Sequence, residues 1–524
     1  SDLGSVSTHR VRDLMPVYRQ RRARLRALIA DRDLAAGAAG EPLAWGDTRG
    51  GLRVVACGRC ATCETEVAAH RDLLLVAGMR PVQRERLRAS GITTIDELAA
   101  ASRAPERMSD DVFASLRTQA RLQLESPAGV PGPDGTVPVD AVPRYEVVLP
   151  QALAALPRRD AGDLFFDFEG DPLYTEGGGD WGIDYLFGWI DPEQQYSALW
   201  AHSFADEKAA LETFIDFVDL RRRAHPGMHI YHYAPYEPTH LLAMAARHGT
   251  REAEVDRLLR DGVFVDLYPI VRRALRVGSR SYSIKKLEPL YMGAQRRTSD
   301  VQRGDDSIVR YVEARALLEA GQDDQAQAVL DDLAEYNRDD CVSTLRLRDW
   351  LVDRAREAQL FPSADPVVGE AVYEPSFRSV ALPRRAAVTD DEADAAALRL
   401  GAAAIDYYPR EAKTFWASHF LRLREPVSLW EDTRDVVVLD GARTRVVEDW
   451  QPGQGRQRAL RRRLELRGEP APGTRLSVGT QPFLVYAAPA PFGEASPRWI
   501  HAARAVRIVE ALDDGAVVEE LAAD

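Results

Sequence analysis

Asp163-Leu164-Phe165-Phe166-Asp167-Phe168-Glu169-Gly170 is an apolar run that carries acids at alternate positions. Read as a strand, it sets Asp167 and Glu169 on one face, since successive side chains point to opposite sides. Packing alone does not account for the pair, because an uncompensated buried carboxylate is costly or must neutralise. Two acids on one face of a buried strand call for a cation. Further along, Tyr336-Asn337-Arg338-Asp339-Asp340 lies in a helical stretch. There Tyr336 and Asp340 stand one turn apart on a single face, while Asp339 points about 100° away around the helix.

The order of elements around these two stretches suggests the fold. Strand patterns at Leu164–Glu169, Tyr185–Ile190 and Tyr196–His202 are joined by short loops and should be antiparallel neighbours. A helix over Asp206–Arg223 follows, then strand His229–Tyr233, helix Tyr236–Arg247 and strand Val263–Leu267. Helices then fill Ile270–Arg276, Ile284–Met292 and Asp323–Leu351. Three antiparallel strands followed by alternating helix and strand is the order of a ribonuclease-H-like α/β sheet flanked by helices. Its first strand would be central, with the last helix packed across it.

The chain has 524 residues, of which 45% are hydrophobic, enough for about three domains at ~100–200 residues each. A Pro/Gly-rich linker at Ser126–Pro150 and a break near Phe361–Pro366 divide it into residues 1–130, 150–362 and 366–524. No apolar run approaches the ~20 residues of a membrane span, and Ser1–Arg26 is polar and arginine-rich, unlike a leader. The expectation is a cytoplasmic protein with no membrane partner. A net charge of -13 argues against indiscriminate coating of nucleic acid, although local basic runs occur at 19–26, 272–297 and 456–467. The first and third read as solvated helix faces. The middle run lies inside the block that carries the acids.

A strand with Asp-x-Glu followed by a helix with Tyr-x-x-x-Asp resembles the DEDD-type 3′-to-5′ exonucleases of the ribonuclease-H-like fold, and the tyrosine points to their DEDDy branch. The resemblance implies a nucleic-acid substrate with a free 3′ end and acids that bind two divalent ions ~3.5–4 Å apart. Asp167 would bridge both ions, Glu169 and Asp340 would complete one site, and Tyr336 would hold the attacking water. Hard oxygen ligands favour Mg²⁺ or Mn²⁺. The second family motif normally supplies an aspartate after the fourth strand, but the stretch His229–Leu241 has none. Glu237 is the candidate for that outer contact; Asp266 is the backup, and its expected use is to cap the following helix. Ser281–Gly293, with Lys285 and Lys286, resembles the "S-L-K-x-L" helix of proofreading-type exonucleases, and its lysines would either approach phosphates or sit on a solvated face.

Cys57-x-x-Cys60-x-x-Cys63 resembles the end of RecB-like nuclease domains, where three cysteines join a distant fourth around an iron-sulfur cluster. The fourth is missing here, because Cys341 adjoins Asp340 in another block. A partial or empty site, or a Zn²⁺ site completed by His70, are the alternatives. Leu87–Leu98 resembles a helix-hairpin-helix turning at Gly91, either a DNA contact or a plain packing module. The last block reads as a helical segment followed by a small β-barrel, with a hairpin turning at Asp514-Gly515.

In order, the blocks resemble bacterial fusions of a RecB-like nuclease, a DEDD exonuclease and a superfamily 1 helicase. The helicase phosphate loop is absent here, so the helicase would be a separate subunit or the chain a fragment. The expectation is a metal-dependent 3′-to-5′ exonuclease acting on DNA. The rival is a catalytically weak or dead nucleic-acid-binding scaffold for a partner helicase or nuclease.

Overall fold

The computed structural model describes residues 11–31, 60–106, 110–127, 129–130, 141–293, 304–360, 376–405, 407–408, 435–452, 459–470, 476–487, 501–512 and 514–522, with single positions between them. Two compact units divide the chain: Ser1–Tyr145 with Val277–Ser281, and Glu146–Arg276 with Tyr282–Asp524. The second holds both the mixed sheet and the C-terminal sheet, and the break expected near 361–366 lies outside the described residues.

In the first unit, short helices at Ala61–Ala69, Pro81–Ala89 and Ile95–Ala100 and a longer one at Asp110–Glu125 enclose Leu73, Leu75, Leu87, Ile95 and Leu98. Buried Asp72 is met by Arg84 at 2.6 Å, so that this core carries its own charge compensation.

In the second unit, β1 (Leu164–Asp171), β2 (Ile183–Ile190), β3 (Tyr196–Trp200), β4 (Ile230–His232) and β5 (Phe264–Asp266) form one sheet in the order β3-β2-β1-β4-β5. The first three strands are antiparallel, whereas β4 lies parallel to β1 and to β5. This is the ribonuclease-H-like arrangement that the element order implies. Between the strands run α1 (Phe204–Ala224), α2 (Tyr236–His248) and α3 (Glu252–Arg260); α4 (Leu267–Ala274), α5 (Ile284–Leu287), α6 (Gly304–Glu319) and α7 (Asp323–Glu357) follow.

Alternation along β1 gives each face its own core. Phe166 and Phe168 pack with Phe187, Trp189 and α1, Phe166 stacking on Phe214 at 4.4 Å. The opposite face, to which Asp167 and Glu169 point, is covered by α6 and α7 through Tyr311, Leu333 and Tyr336. α7 is biased by Asp323 and Asp324 in its first turn and Arg354 and Arg356 in its last, the distribution that its dipole favours. Two contacts fix α7 on the sheet. Arg348 pairs with buried Asp163 at 2.9 Å, and Asn337 closes on Gly188 so tightly that a Cβ there would lie 1.6 Å from Asn337 Oδ1.

The C-terminal strands are β6 (Val437–Leu439), β7 (Arg445–Gln451), β8 (Arg461–Pro470), β9 (Phe483–Ala487), β10 (His501–Leu512) and β11 (Gly515–Leu521). They form a curled antiparallel sheet in the order β9-β10-β11-β8-β6, with β7 also on β8. Leu464, Leu466, Val506, Ile508 and Val518 fill its inner face. The arginine run read as a solvated helix face belongs, from Arg461 onward, to β8. Its charges are met across strands, for example Arg462 by Glu520 at 2.7 Å and Arg463 by Glu448 at 3.3 Å.

Candidate active site

Asp167 and Glu169 leave one face of β1, and Asp340 comes from the face of α7 packed over it. One carboxylate oxygen from each lies within 4.8 Å of the other two. Among the described residues this is the group of three or more acidic, histidine or cysteine side chains arranged to hold an ion. Glu169 and Asp340 are buried and Asp167 is half-buried, so their charges are concentrated where water screens them poorly. The donor set suits a hard divalent cation: all ligands are oxygen, convergent and acceptors when ionised.

Neighbours orient the acids. Asn337, three residues before Asp340, donates from Nδ2 to Asp167 Oδ2 at 3.0 Å and to the Asp167 carbonyl at 3.2 Å. Its own oxygen accepts from the Tyr196 hydroxyl at 3.0 Å, which fixes the amide's orientation. Ser307, at the start of α6, donates to Glu169 Oε2 at 2.8 Å. Tyr336 lies one turn before Asp340 on the same helix, and Lys285 of α5 donates to its hydroxyl at 2.6 Å, with the ammonium 4.3 Å from the ring centre. Asp339 is turned away from the trio, within 3.9 Å of Arg338.

Glu237 is placed differently from the trio. It is 2% exposed in the first turn of α2 and meets His232 Nδ1 at 3.1 Å. That nitrogen also lies 2.8 Å from the Ala234 carbonyl, so with two acceptors facing it, it carries the proton. Burial pushes the Glu237 carboxyl up against the opposing pull of His232. For His232, burial alone would lower the pKa, but Glu237, then Asp266 and the Ala234 carbonyl, together more than offset it and the net direction is upward. Ala234 adopts a φ of 77°, a left-handed conformation held by the bond from its N–H to Asp266 Oδ1 at 2.8 Å. Asp266 also accepts from Tyr268 N at 2.9 Å, capping α4. Burial first, then the charges of Asp167, Asp340, Glu237 and Glu169, push the Cys341 thiol up.

Sequence reasoning missed Ser307, the orienting role of Asn337, and a group beside Gly170. There the Asp184 carboxylate takes His240 Nδ1 at 2.9 Å, and the Tyr236 ring stacks on His240 at 3.6 Å. Tyr236 heads the same helix turn as Glu237, and this nearness to the second motif was the available signal.

The N-terminal motifs have a different character. Cys57 lies outside the described residues. Cys60 is exposed at the N-cap of its helix, where its sulfur accepts from Cys63 N at 3.4 Å. His70 turns to the Glu66 carbonyl at 3.0 Å and stacks on Trp45. No set of three ligands forms around these cysteines among the described residues. In the hairpin, the N–H groups of Thr93 and Thr94 donate to Glu97 Oε2 at 2.6 and 3.1 Å, and those of Gly91, Ile92 and Ile95 to carbonyls. No described residue forms a helix long and apolar enough to cross a membrane.

Residues 164–352 match the model of the RNase_H superfamily. The matched span begins with β1 and ends within α7, so it contains all three acids. No curated protein and no solved structure matches the chain. A domain of this superfamily with a convergent acidic cluster fits a metal-binding nuclease, an enzyme that takes nucleic acid and hydrolyses phosphodiester bonds.

Proposed function

We propose that the chain is a 3′-to-5′ exonuclease of the DEDDy type that uses two divalent ions, Mg²⁺ or Mn²⁺, and acts on DNA. The observation that carries this reading is the convergence of Asp167, Glu169 and Asp340 within 4.8 Å, with Tyr336 one helical turn from Asp340. Asp167, Glu169 and Asp340 would hold the ions, which supply Lewis-acid activation of water and stabilisation of the leaving oxygen. Glu237 is the outer fourth acid in this reading, reaching the site by a rotation that breaks its bond to His232.

Each residue then has a task in the hydrolysis. The Tyr336 oxygen accepts from Lys285, so its own O–H is directed elsewhere and can fix the attacking water. Asn337 and Ser307 hold Asp167 and Glu169 in place before substrate arrives, so little reorganisation accompanies the reaction. Attack by water forms a new P–O bond at the terminal phosphodiester. The bond to the 3′ oxygen of the penultimate nucleotide breaks, and that oxygen takes a proton to leave a new 3′-hydroxyl. The products are a nucleoside 5′-monophosphate and a shortened strand.

The test uses end-labelled single- and double-stranded DNA and RNA with Mg²⁺, Mn²⁺ or EDTA. A 5′-labelled DNA strand should shorten stepwise in Mg²⁺ or Mn²⁺ and remain intact in EDTA. Release of the label as a mononucleotide from the 5′ end, or digestion unaffected by EDTA, would sink the reading. Tyr336→Phe should lower turnover with ion binding preserved, whereas Asp340→Asn should weaken ion binding itself.

A further inference from the structure

Tyr185 is fully buried, yet its hydroxyl has no hydrogen-bond partner. A buried O–H left in this state is unfavourable unless another state of the molecule completes it. Its location suggests which state that is. The β1–β2 register passes from Glu169 opposite Leu186 to Gly170 opposite Asp184, leaving Tyr185 as the extra residue of a β-bulge directly across from the acid. Bulges re-aim side chains next to functional sites. Here the ring is carried onto Tyr311 of α6, stacked at 3.7 Å and 7° between planes. Tyr311 lies one helical turn beyond Ser307, the residue whose hydroxyl donates to Glu169. Tyr185 therefore lies against the helix face that carries Ser307. Burial first, then the charge of Glu169, raise the Tyr185 phenol, and the Ser307 hydroxyl, close enough to oppose them though outside hydrogen-bond geometry, is the neighbour to which the Tyr185 O–H can turn.

We infer that Tyr185 and Ser307 form a positioning relay for Glu169, in which the Tyr185 O–H donates to Ser307 Oγ and Ser307 donates to the carboxylate when Glu169 bears on a cation. Neither residue touches substrate or ion. Their part is to turn one oxygen of Glu169 outward and hold the other, as the outer partners of metal ligands do. The inference rests on the reading of the acidic trio as a metal centre.

The test is run on the full chain, by Mn²⁺ titration calorimetry together with thermal unfolding in EDTA. Tyr185→Phe keeps the ring and its stack and deletes only the hydroxyl. Its Mn²⁺ affinity should fall roughly 3- to 30-fold, while its unfolding temperature in EDTA stays level or rises, because the lost group had no partner in the ion-free protein. Ser307→Ala should lose about 10- to 100-fold in affinity, Ser307→Thr should recover most of it, and the double variant should be no worse than Ser307→Ala alone.

If Tyr185→Phe binds Mn²⁺ as wild type does, the relay is overturned and the metal centre stands. A lowered unfolding temperature in EDTA with unchanged affinity overturns the relay equally, since it assigns Tyr185 to packing. Failure of the wild type itself to bind Mn²⁺ would overturn the metal centre and the relay with it.

Discussion

Two sheets of the second unit use carboxylates in opposite ways. In the C-terminal sheet the acids are answered by arginine: Glu520, fully buried, by Arg462 at 2.7 Å; Glu465 by Arg445 at 2.6 Å and Arg467 at 3.0 Å; Glu519 by Arg461 at 3.2 Å. In the mixed sheet, Asp167, Glu169 and Asp340 converge on one another, and among the donors to the first two are a neutral amide, Asn337, and a neutral hydroxyl, Ser307. Arginine pairing neutralises charge inside the fold. Neutral donors fix a carboxylate's direction while leaving its charge available, which is what a cation site requires.

The largest effect should come from removing charge in the trio. Asp167→Asn is expected to reduce nuclease turnover by roughly a thousandfold or more, since it deletes a ligand from a metal-dependent site. It should not lower the unfolding temperature in EDTA, because like charges are thinned. A marked loss of stability without metal would place Asp167 among the structural acids, and the contrast between the sheets would collapse.

Glu520→Gln should do the reverse. Arg462, about a fifth exposed, and the Tyr486 hydroxyl at 2.9 Å each bond one carboxylate oxygen, and in the amide one of them would face an NH2 group while the guanidinium loses its counter-charge. The expected cost is about 2–3 kcal/mol, read by denaturant unfolding, with nuclease turnover unchanged.

A smaller effect separates a third use of a carboxylate. Glu97 caps the N–H groups of Thr93 and Thr94 in the hairpin. Glu97→Ala should cost about 1 kcal/mol of stability. DNA affinity should not fall, because the capped amides are already occupied.

The smallest effect is on the surface. Glu465 is held below the usual carboxylate range by hydrogen bonds from Arg445 and then Arg467, and Asp514 likewise by Arg467 and then Arg443. Since their folded pKa values are depressed, their contribution is present above the ordinary carboxylate pKa and is lost as pH falls through the folded values. Both lie at the surface and are partly exposed, so molar salt should weaken this acid sensitivity. Acid unfolding of the C-terminal sheet that ignores salt would argue against this.

How much was legible follows from these chemistries. The trio could be read because each acid sits at a periodic position: Asp167 and Glu169 two apart on a strand, Asp340 one helical turn after Tyr336. The donors could not be read in this way. Ser307 opens a helix absent from the expected elements, far along the chain from Glu169, and nothing local marks a serine as the partner of a distant acid. Arg461–Arg467 looked like a solvated helix face because most of its neutralising acids lie on other strands, Glu519 and Glu520 among them. The middle basic run is partly structural: Arg272 packs over Tyr282, and Arg276 donates to the carbonyls of Arg272 and Leu275. The cap at Asp266 was legible because capping depends on the next few residues.

The closeness of Asn337 to Gly188 bears on how variants of this protein can be chosen. Position 188 works as a spacer gauge for the long helix, and its tolerance is set by a residue far downstream in the chain. Gly188→Ala would leave every ligand, every formal charge and the aromatic stacks unaltered. Its methyl would fall on the Asn337 amide, so that this side chain must give way and the donor that orients Asp167 is displaced. Such a variant should slow turnover with all three carboxylates retained, a way to hold a strand longer without disguising the acids as amides.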